Sequence, residues 1–169
     1  MALTPPLRPL EEGDWARVHD IVVEVATAGE TYAMDVPASV EETRAFWTGQ
    51  HNVVALDESG RVVGTAKMGP NRPAQGSRVG TASFMVGSAA RGRGVGRALA
   101  EHVVEWHRAN GFRGIQFNAV VSTNTSAVRL WHELGFATIG VVPGAFRLPL
   151  GEYADLHVMH LDLTDSPGD

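Results

Sequence analysis

Phe84-Met85-Val86-Gly87-Ser88-Ala89-Ala90-Arg91-Gly92-Arg93-Gly94-Val95-Gly96-Arg97-Ala98-Leu99-Ala100 decides the fold. Phe84, Met85 and Val86 are apolar and end a run that suits a buried strand. A short turn follows, with glycines at positions 92, 94 and 96. Val95, Leu99, Val103 and Trp106 then recur at the three-to-four spacing of an amphipathic helix. The stretch predicts strand, glycine-rich turn, helix.

Glycine has no Cβ, so such a turn can adopt left-handed backbone and let a ligand lie directly on the main chain. The first N–H groups of the following helix have no intrahelical acceptor and carry the positive end of its dipole. With Arg91, Arg93 and Arg97 beside them, they predict an anion site suited to phosphate. A tight basic turn without a ligand is the competing reading. Two common phosphate loops do not fit: the ATP-type loop needs a lysine after its glycines, and the dinucleotide fingerprint counted from Gly92 needs a glycine where Arg97 stands.

The spelling [Q/R]-x-x-G-x-[G/A] is filled by Arg91, Gly94 and Gly96. In this the chain resembles the GNAT superfamily of acetyl-CoA-dependent N-acetyltransferases, whose pyrophosphate loop has that pattern. Asn124-Thr125-Ser126-Ala127-Val128-Arg129-Leu130-Trp131-His132-Glu133-Leu134-Gly135-Phe136 is similar to the family's N-x-x-A-x-x-L-[Y]-x-x-x-G-F segment, in the expected order and spacing. The resemblance spans residues 7 to 163.

A chain of 169 residues with 44% hydrophobic content is long and apolar enough for one domain around one core. It contains no cysteine, which excludes disulfides, a thiol nucleophile and cysteine-ligated metal. Met1-Ala2-Leu3-Thr4-Pro5-Pro6 has no leader pattern, and no apolar run reaches the roughly eighteen residues of a membrane span. The expectation is a soluble cytoplasmic protein with no membrane partner. A net charge of -5 argues against a nucleic-acid footprint. The histidines suggest no metal site: His102 and His107 are five apart on a helix, and His157 and His160 are three apart on a strand and point to opposite sides.

Periodicity predicts an edge strand from Leu7, a helix carrying Trp15, Val18, Ile21, Val22 and Val25 and ending at Gly29, and a second helix capped by Ser39. Strands follow at 52–56, 62–68 and 79–86, then the glycine turn and its helix, a strand at 115–121, a helix at 124–134, and strands at 136–142 and 153–163. Loops are expected at 69–78 and 143–151. The order βααβββαβαββ is a single-domain α/β fold. The resemblance implies the same order, with a mixed, mostly antiparallel sheet and flanking helices.

The resemblance also implies that strands 79–86 and 115–121 splay apart beyond Met85, exposing main-chain groups to the pantetheine arm of acetyl-CoA in the manner of an added strand. It assigns backbone contacts to Phe84, Met85 and Val86, and pyrophosphate contacts to Arg91, Gly92, Arg93, Gly94, Val95, Gly96 and Arg97. Asn124 is either a cofactor contact or a plain helix cap. The implied reaction is direct attack of an amine on the thioester, with the Val86 N–H stabilising the oxyanion. An alkyl amine has a pKa near ~10, so it needs help to lose its proton. Glu30 is the first candidate base, acting through water. Trp131 stands where the family pattern has a tyrosine, and an indole cannot serve as an acid. Tyr32, Tyr153, His132 and solvent are the substitutes, and Asn118 is a candidate for orienting the acceptor. Arg147 is a candidate partner for an acceptor carboxylate, in a loop over the site. The expected acceptor is a small amino-acid-like or xenobiotic amine. Alternatives are a protein N-terminus or lysine as acceptor, or a noncatalytic acyl-CoA-binding regulator. A homodimer is expected by family analogy.

Overall fold

Seven strands and four helices are formed over residues 5–164, the part of the chain that the computed structural model describes. In chain order they are β1 (Leu7–Pro9), α1 (Trp15–Ala28), α2 (Val40–Trp47), β2 (His51–Leu56), β3 (Val62–Pro70), β4 (Val79–Val86), α3 (Val95–Ala109), β5 (Gly114–Val121), α4 (Thr125–Glu133), β6 (Ala137–Arg147) and β7 (Tyr153–Asp162). Apart from three single 3-10 turns, this is the expected βααβββαβαββ order. The reading of Met1 to Thr4 lies outside the described residues.

Helix ends follow local chemistry. Ser39 accepts the Glu42 N–H at 3.2 Å and starts α2. Gly29, at φ +63°, takes the left-handed conformation that closes α1. One sheet, ordered β1-β2-β3-β4-β5-β7-β6, runs through the molecule. α1 and α2 cover one face with Val18, Ile21, Val22 and Trp47 against Val54 and Met85. On the other face Leu99 and Val103 of α3 and Trp131 of α4 pack with Ile115, Phe117, Phe136 and Met159. No helix among the described residues is long and apolar enough to cross a membrane.

Every neighbouring pair of strands is antiparallel except β4 and β5. These two pair only at Val79–Gly114 and Gly80–Ile115. The splay therefore starts after Gly80, five residues earlier than expected. β4 stays on β3 as far as the Gly64–Val86 pair, whereas β5 follows β7 through a bulge between Phe117 and Val120. The result is a wedge that opens towards the C-terminal ends of β4 and β5.

His107 packs against the apex of this wedge. It is fully buried, with Nδ1 2.7 Å from the Val103 carbonyl. A Cβ on Gly80 would lie 2.1 Å from its ring, so only glycine fits there. Two loop expectations are corrected. β3 runs on to Pro70, and β6 runs to Arg147, absorbing Pro143 and Gly144 in a bulge between Val142 and Phe146. Proline is tolerated there because β6 is the edge strand and the bulge needs no donor.

Burial pushes the His107 imidazole below its ordinary pKa, against the pull of the Val103 carbonyl. Burial and the neighbouring His51 do the same to His102. The unfolded chain, titrating near ~6.5, then binds more protons in the window below that value. Stability is complete above about pH 6.5 and falls as pH drops towards the folded values. Urea midpoints should therefore fall between about pH 7 and about pH 5, and His107→Leu should make that fall shallower. An unchanged slope in the variant would assign the effect elsewhere.

Candidate active site

The free edge of β4 has a parity. The Asn71 N–H donates to the Val79 carbonyl at 2.8 Å, and the Gly87 N–H to the Val63 carbonyl at 3.0 Å. Odd-numbered main-chain groups of β4 therefore face β3. The two-residue period of a strand turns those of Ala82, Phe84 and Val86 into the wedge. Met85, opposite Thr65 on β3 and with its side chain in the α1 and α2 core, does not present its main chain to the wedge.

Phe84 is already engaged. Tyr32, in the connection between α1 and α2, accepts the Phe84 N–H at 2.8 Å and donates to the Phe84 carbonyl at 2.8 Å. Its ring stands edge-on to Trp47, with centroids 6.5 Å apart. Burial pushes the phenol up to about 12, so Tyr32 is a neutral donor and acceptor and not a base at physiological pH. Of the three expected backbone positions, Val86 is the one whose main chain enters the wedge without the tyrosine on it.

At the open end of the wedge a 3-10 turn, Ser88–Ala90, leads into the glycine loop. Glu24 of α1 accepts the Ser88 N–H at 2.6 Å and is held below the usual carboxylate range chiefly by Ser88, with Arg91 and Arg17 assisting. Gly92 and Gly94 have φ of +74° and +79°, which a side chain disfavours. Gly94 caps α3 without a side-chain bond. The first helical hydrogen bond runs from the Ala98 N–H to the Gly94 carbonyl, so the Val95, Gly96 and Arg97 amides are left for a ligand. Gly96 has helical backbone, and a Cβ there would meet nothing within 4 Å. A glycine inside a helix costs about 0.5–1 kcal/mol against alanine, and nothing in the chain's own packing requires it.

Arg91 and Arg97 line the cleft, and Arg93 does not. Arg97 is bonded to Glu133 and lies 3.7 Å from Glu101, and Glu133 also accepts from Arg129 at 2.8 Å. Cradle and wedge belong to one cleft of about 1190 Å³. Glu30 is exposed on its wall, directly after the Gly29 cap. Asn118 lies in the part of β5 that the bulge releases from β7. It donates to Asn71 Oδ1 at 2.7 Å and accepts from Gln116 at 2.9 Å. Asn124 caps α4, accepting from the Ala127 N–H at 3.4 Å, and also lines the cleft.

Trp131 packs between Phe84 and Phe117, at centroid distances of 4.9 and 4.7 Å, with Phe136 behind it. It fills space and offers no group that titrates as an acid. Arg147 is in register with Tyr153 in the strand and is not on the cleft wall, whereas its neighbours Phe146 and Leu148 are. Those two were missed in the sequence, although the alternation Phe146-Arg147-Leu148 continues the strand past Pro143.

The family model described as Acetyltransferase (GNAT) family matches residues 13–136. The chain belongs to the GNAT family. Its fold is similar to a GCN5-related N-acetyltransferase from Kribbella flavida at 49% identity and TM-score 0.89, covering 93% of this chain and 96% of that one. It is also similar to a GNAT superfamily phosphinothricin acetyltransferase from Sinorhizobium meliloti, solved with acetyl-CoA, at 27% identity and TM-score 0.88, covering 98% and 91%. The L-methionine sulfoximine/L-methionine sulfone acetyltransferase of Pseudomonas aeruginosa is 36% identical over 124 residues, 72% of this chain and 70% of that protein. Asn124→Ala should destabilise the protein by about 1 kcal/mol through the lost cap, read by urea denaturation, whereas Asn124→Asp should leave it close to wild type.

Proposed function

We propose that this GNAT enzyme transfers the acetyl group of acetyl-CoA to a primary or secondary amine of a small amino-acid-like or xenobiotic molecule. The observation that carries the reading is one cleft joining a bare helix N-terminus, ringed by Gly92, Gly94 and Gly96, to a strand edge with unpaired main-chain groups. Acetyl-CoA is the acyl donor, and its thioester supplies an activated acetyl group. The Val95, Gly96 and Arg97 amides, with the Arg91 side chain, hold its pyrophosphate. Arg93, exposed and not on the cleft wall, adds only longer-range positive charge. The Val86 main chain takes the pantetheine end, and Asn124 lies along the same wall.

The Val86 N–H points into the wedge and donates to the carbonyl oxygen that gains charge as the amine attacks. Glu30 accepts the amine proton through water. Asn118, held by Asn71 and Gln116, orients the acceptor. Tyr32 keeps its proton and positions β4 rather than titrating. A small acceptor is supported by the end of β6 and the turn that follows it, where Phe146, Leu148 and Leu150 wall the cleft and a peptide would need an open groove. The names of the Pseudomonas and Sinorhizobium relatives support it independently. The exposed Ile139, Val141, Val142 and Tyr153 on the edge hairpin support a homodimer, for which light scattering should give twice the mass of one chain.

Thiol release from acetyl-CoA against a panel of amino acids, polyamines and amine antibiotics should respond to the small amino-acid-like class. Gly96→Asp separates fold from binding. An aspartate in the first helical turn complements the dipole, so stability should be kept or raised, while its charge repels the pyrophosphate and should raise the KM for acetyl-CoA about tenfold or more. Turnover unaffected by the variant would place the cofactor elsewhere.

A further inference from the structure

The acceptor part of the cleft carries a negative sign. Two segments of its wall meet: a Cβ on Gly29 would lie 3.5 Å from Pro149 Cγ, so the end of α1 touches the turn between β6 and β7. Glu30 follows Gly29 directly. Glu152 stands opposite Leu148 in that turn, its carbonyl accepting the Leu148 N–H at 2.8 Å. Both side chains are exposed on the cleft wall. Among the described residues neither carboxylate has an ion-pair partner, whereas Glu101 and Glu133 hold Arg97 at the cradle.

Positive charge is placed elsewhere. Among the described residues, the basic side chains on the wall are Arg91 and Arg97, both in the donor cradle. Lys67 of β3 donates to the Phe46 carbonyl and lies over the Phe46 and Trp47 rings. Arg72 donates to the Asn71 carbonyl at 3.0 Å and Arg78 to the Gly111 carbonyl at 3.3 Å, and Arg147 is off the wall. A carboxylate entering beside Glu30 and Glu152 would therefore meet two like charges and no counter-ion. The repulsion grows as bound donor and acceptor displace water from the cleft.

We propose that the acceptor is a dibasic amine without a free carboxylate: one amino group is acetylated, and a second cationic centre pairs with Glu152. The proposal rests on the small-amine reading above, with acetyl-CoA as donor. An amino-acid amide with a basic side chain has this chemistry, and a neutral free amino acid does not. In the step itself the neutral amine forms the C–N bond as the C–S bond breaks. Its proton leaves by way of Glu30, and coenzyme A takes up a proton and departs as the thiol. The second cation keeps its charge throughout, and Glu152 serves only to hold it.

L-Argininamide and L-citrullinamide test this, because they share one reactive α-amine and differ in a charged guanidinium against a neutral urea of nearly the same shape. Followed as thiol release from acetyl-CoA, wild type should use argininamide with a kcat/KM about fivefold or more above that of citrullinamide. The ratio should shrink as salt rises. Glu152→Gln should bring it to within about twofold, whereas a merely structural defect would slow both amides alike and leave the ratio standing. Equal use of the two amides by wild type overturns the proposal, as does an unchanged ratio in Glu152→Gln. L-Methionine sulfone, which carries a carboxylate and no second cation, overturns it if preferred to argininamide, and the acetyltransferase reading then stands. Thiol release with other small amines but with neither amide has the same meaning. Release with no amine at all overturns the proposed function, and this inference with it.

Discussion

The structure depends on a strand pairing that stops early. β4 and β5 are joined at only two residue pairs, and past Gly80 the two strands leave each other. Main-chain N–H and C=O groups inside a protein need partners, so a parted sheet in a folded chain must be finished by something else. Here Tyr32 finishes it at Phe84, and the Val86 groups are left facing the cleft. His107 holds the apex: its ring occupies the space a side chain on Gly80 would need, so the pairing can be tight at one end and open at the other.

Charge is arranged to suit the same geometry. The N-terminus of α3 has no side-chain cap and two glycines in left-handed backbone, so its dipole and its amides point at one place. Nearby arginines are not all equally available. Arg97 is tied to Glu133, which also binds Arg129, whereas Arg91 lines the cleft beside Glu24, whose carboxylate braces the Ser88 turn. In the proposed anion site, amides fixed by the fold outnumber the arginine side chains that are free of carboxylate partners.

The element order was legible because several helix boundaries had a chemical cause in the chain: Ser39 and Asn124 as caps, Gly29 as a left-handed stop, and glycines 92, 94 and 96 before α3. The strand ends were less so. Pro70 and Pro143 look like loop residues, and only their places in the sheet, at the end of β3 and in an edge-strand bulge, make them compatible with strand. That extension of β6 is also why Arg147 leaves the cleft and Phe146 enters it. The parity that separates Phe84 and Val86 from Met85 depends on which neighbour β4 pairs with, and no local pattern encodes that. Tyr32 stood out as a chemistry-bearing residue, but its grip on Phe84 spans 52 positions of sequence and needs the fold to be seen.

Amide hydrogen exchange at β4 tests the central claim most directly. In the free protein the Val86 N–H should exchange fast and the Phe84 N–H slowly, because only Phe84 has the tyrosine on it. Saturating acetyl-CoA should protect Val86 strongly and leave Phe84 little changed. A Val86 amide already protected in the free protein, or one indifferent to acetyl-CoA, would contradict the account of the wedge as the place where the donor completes the sheet.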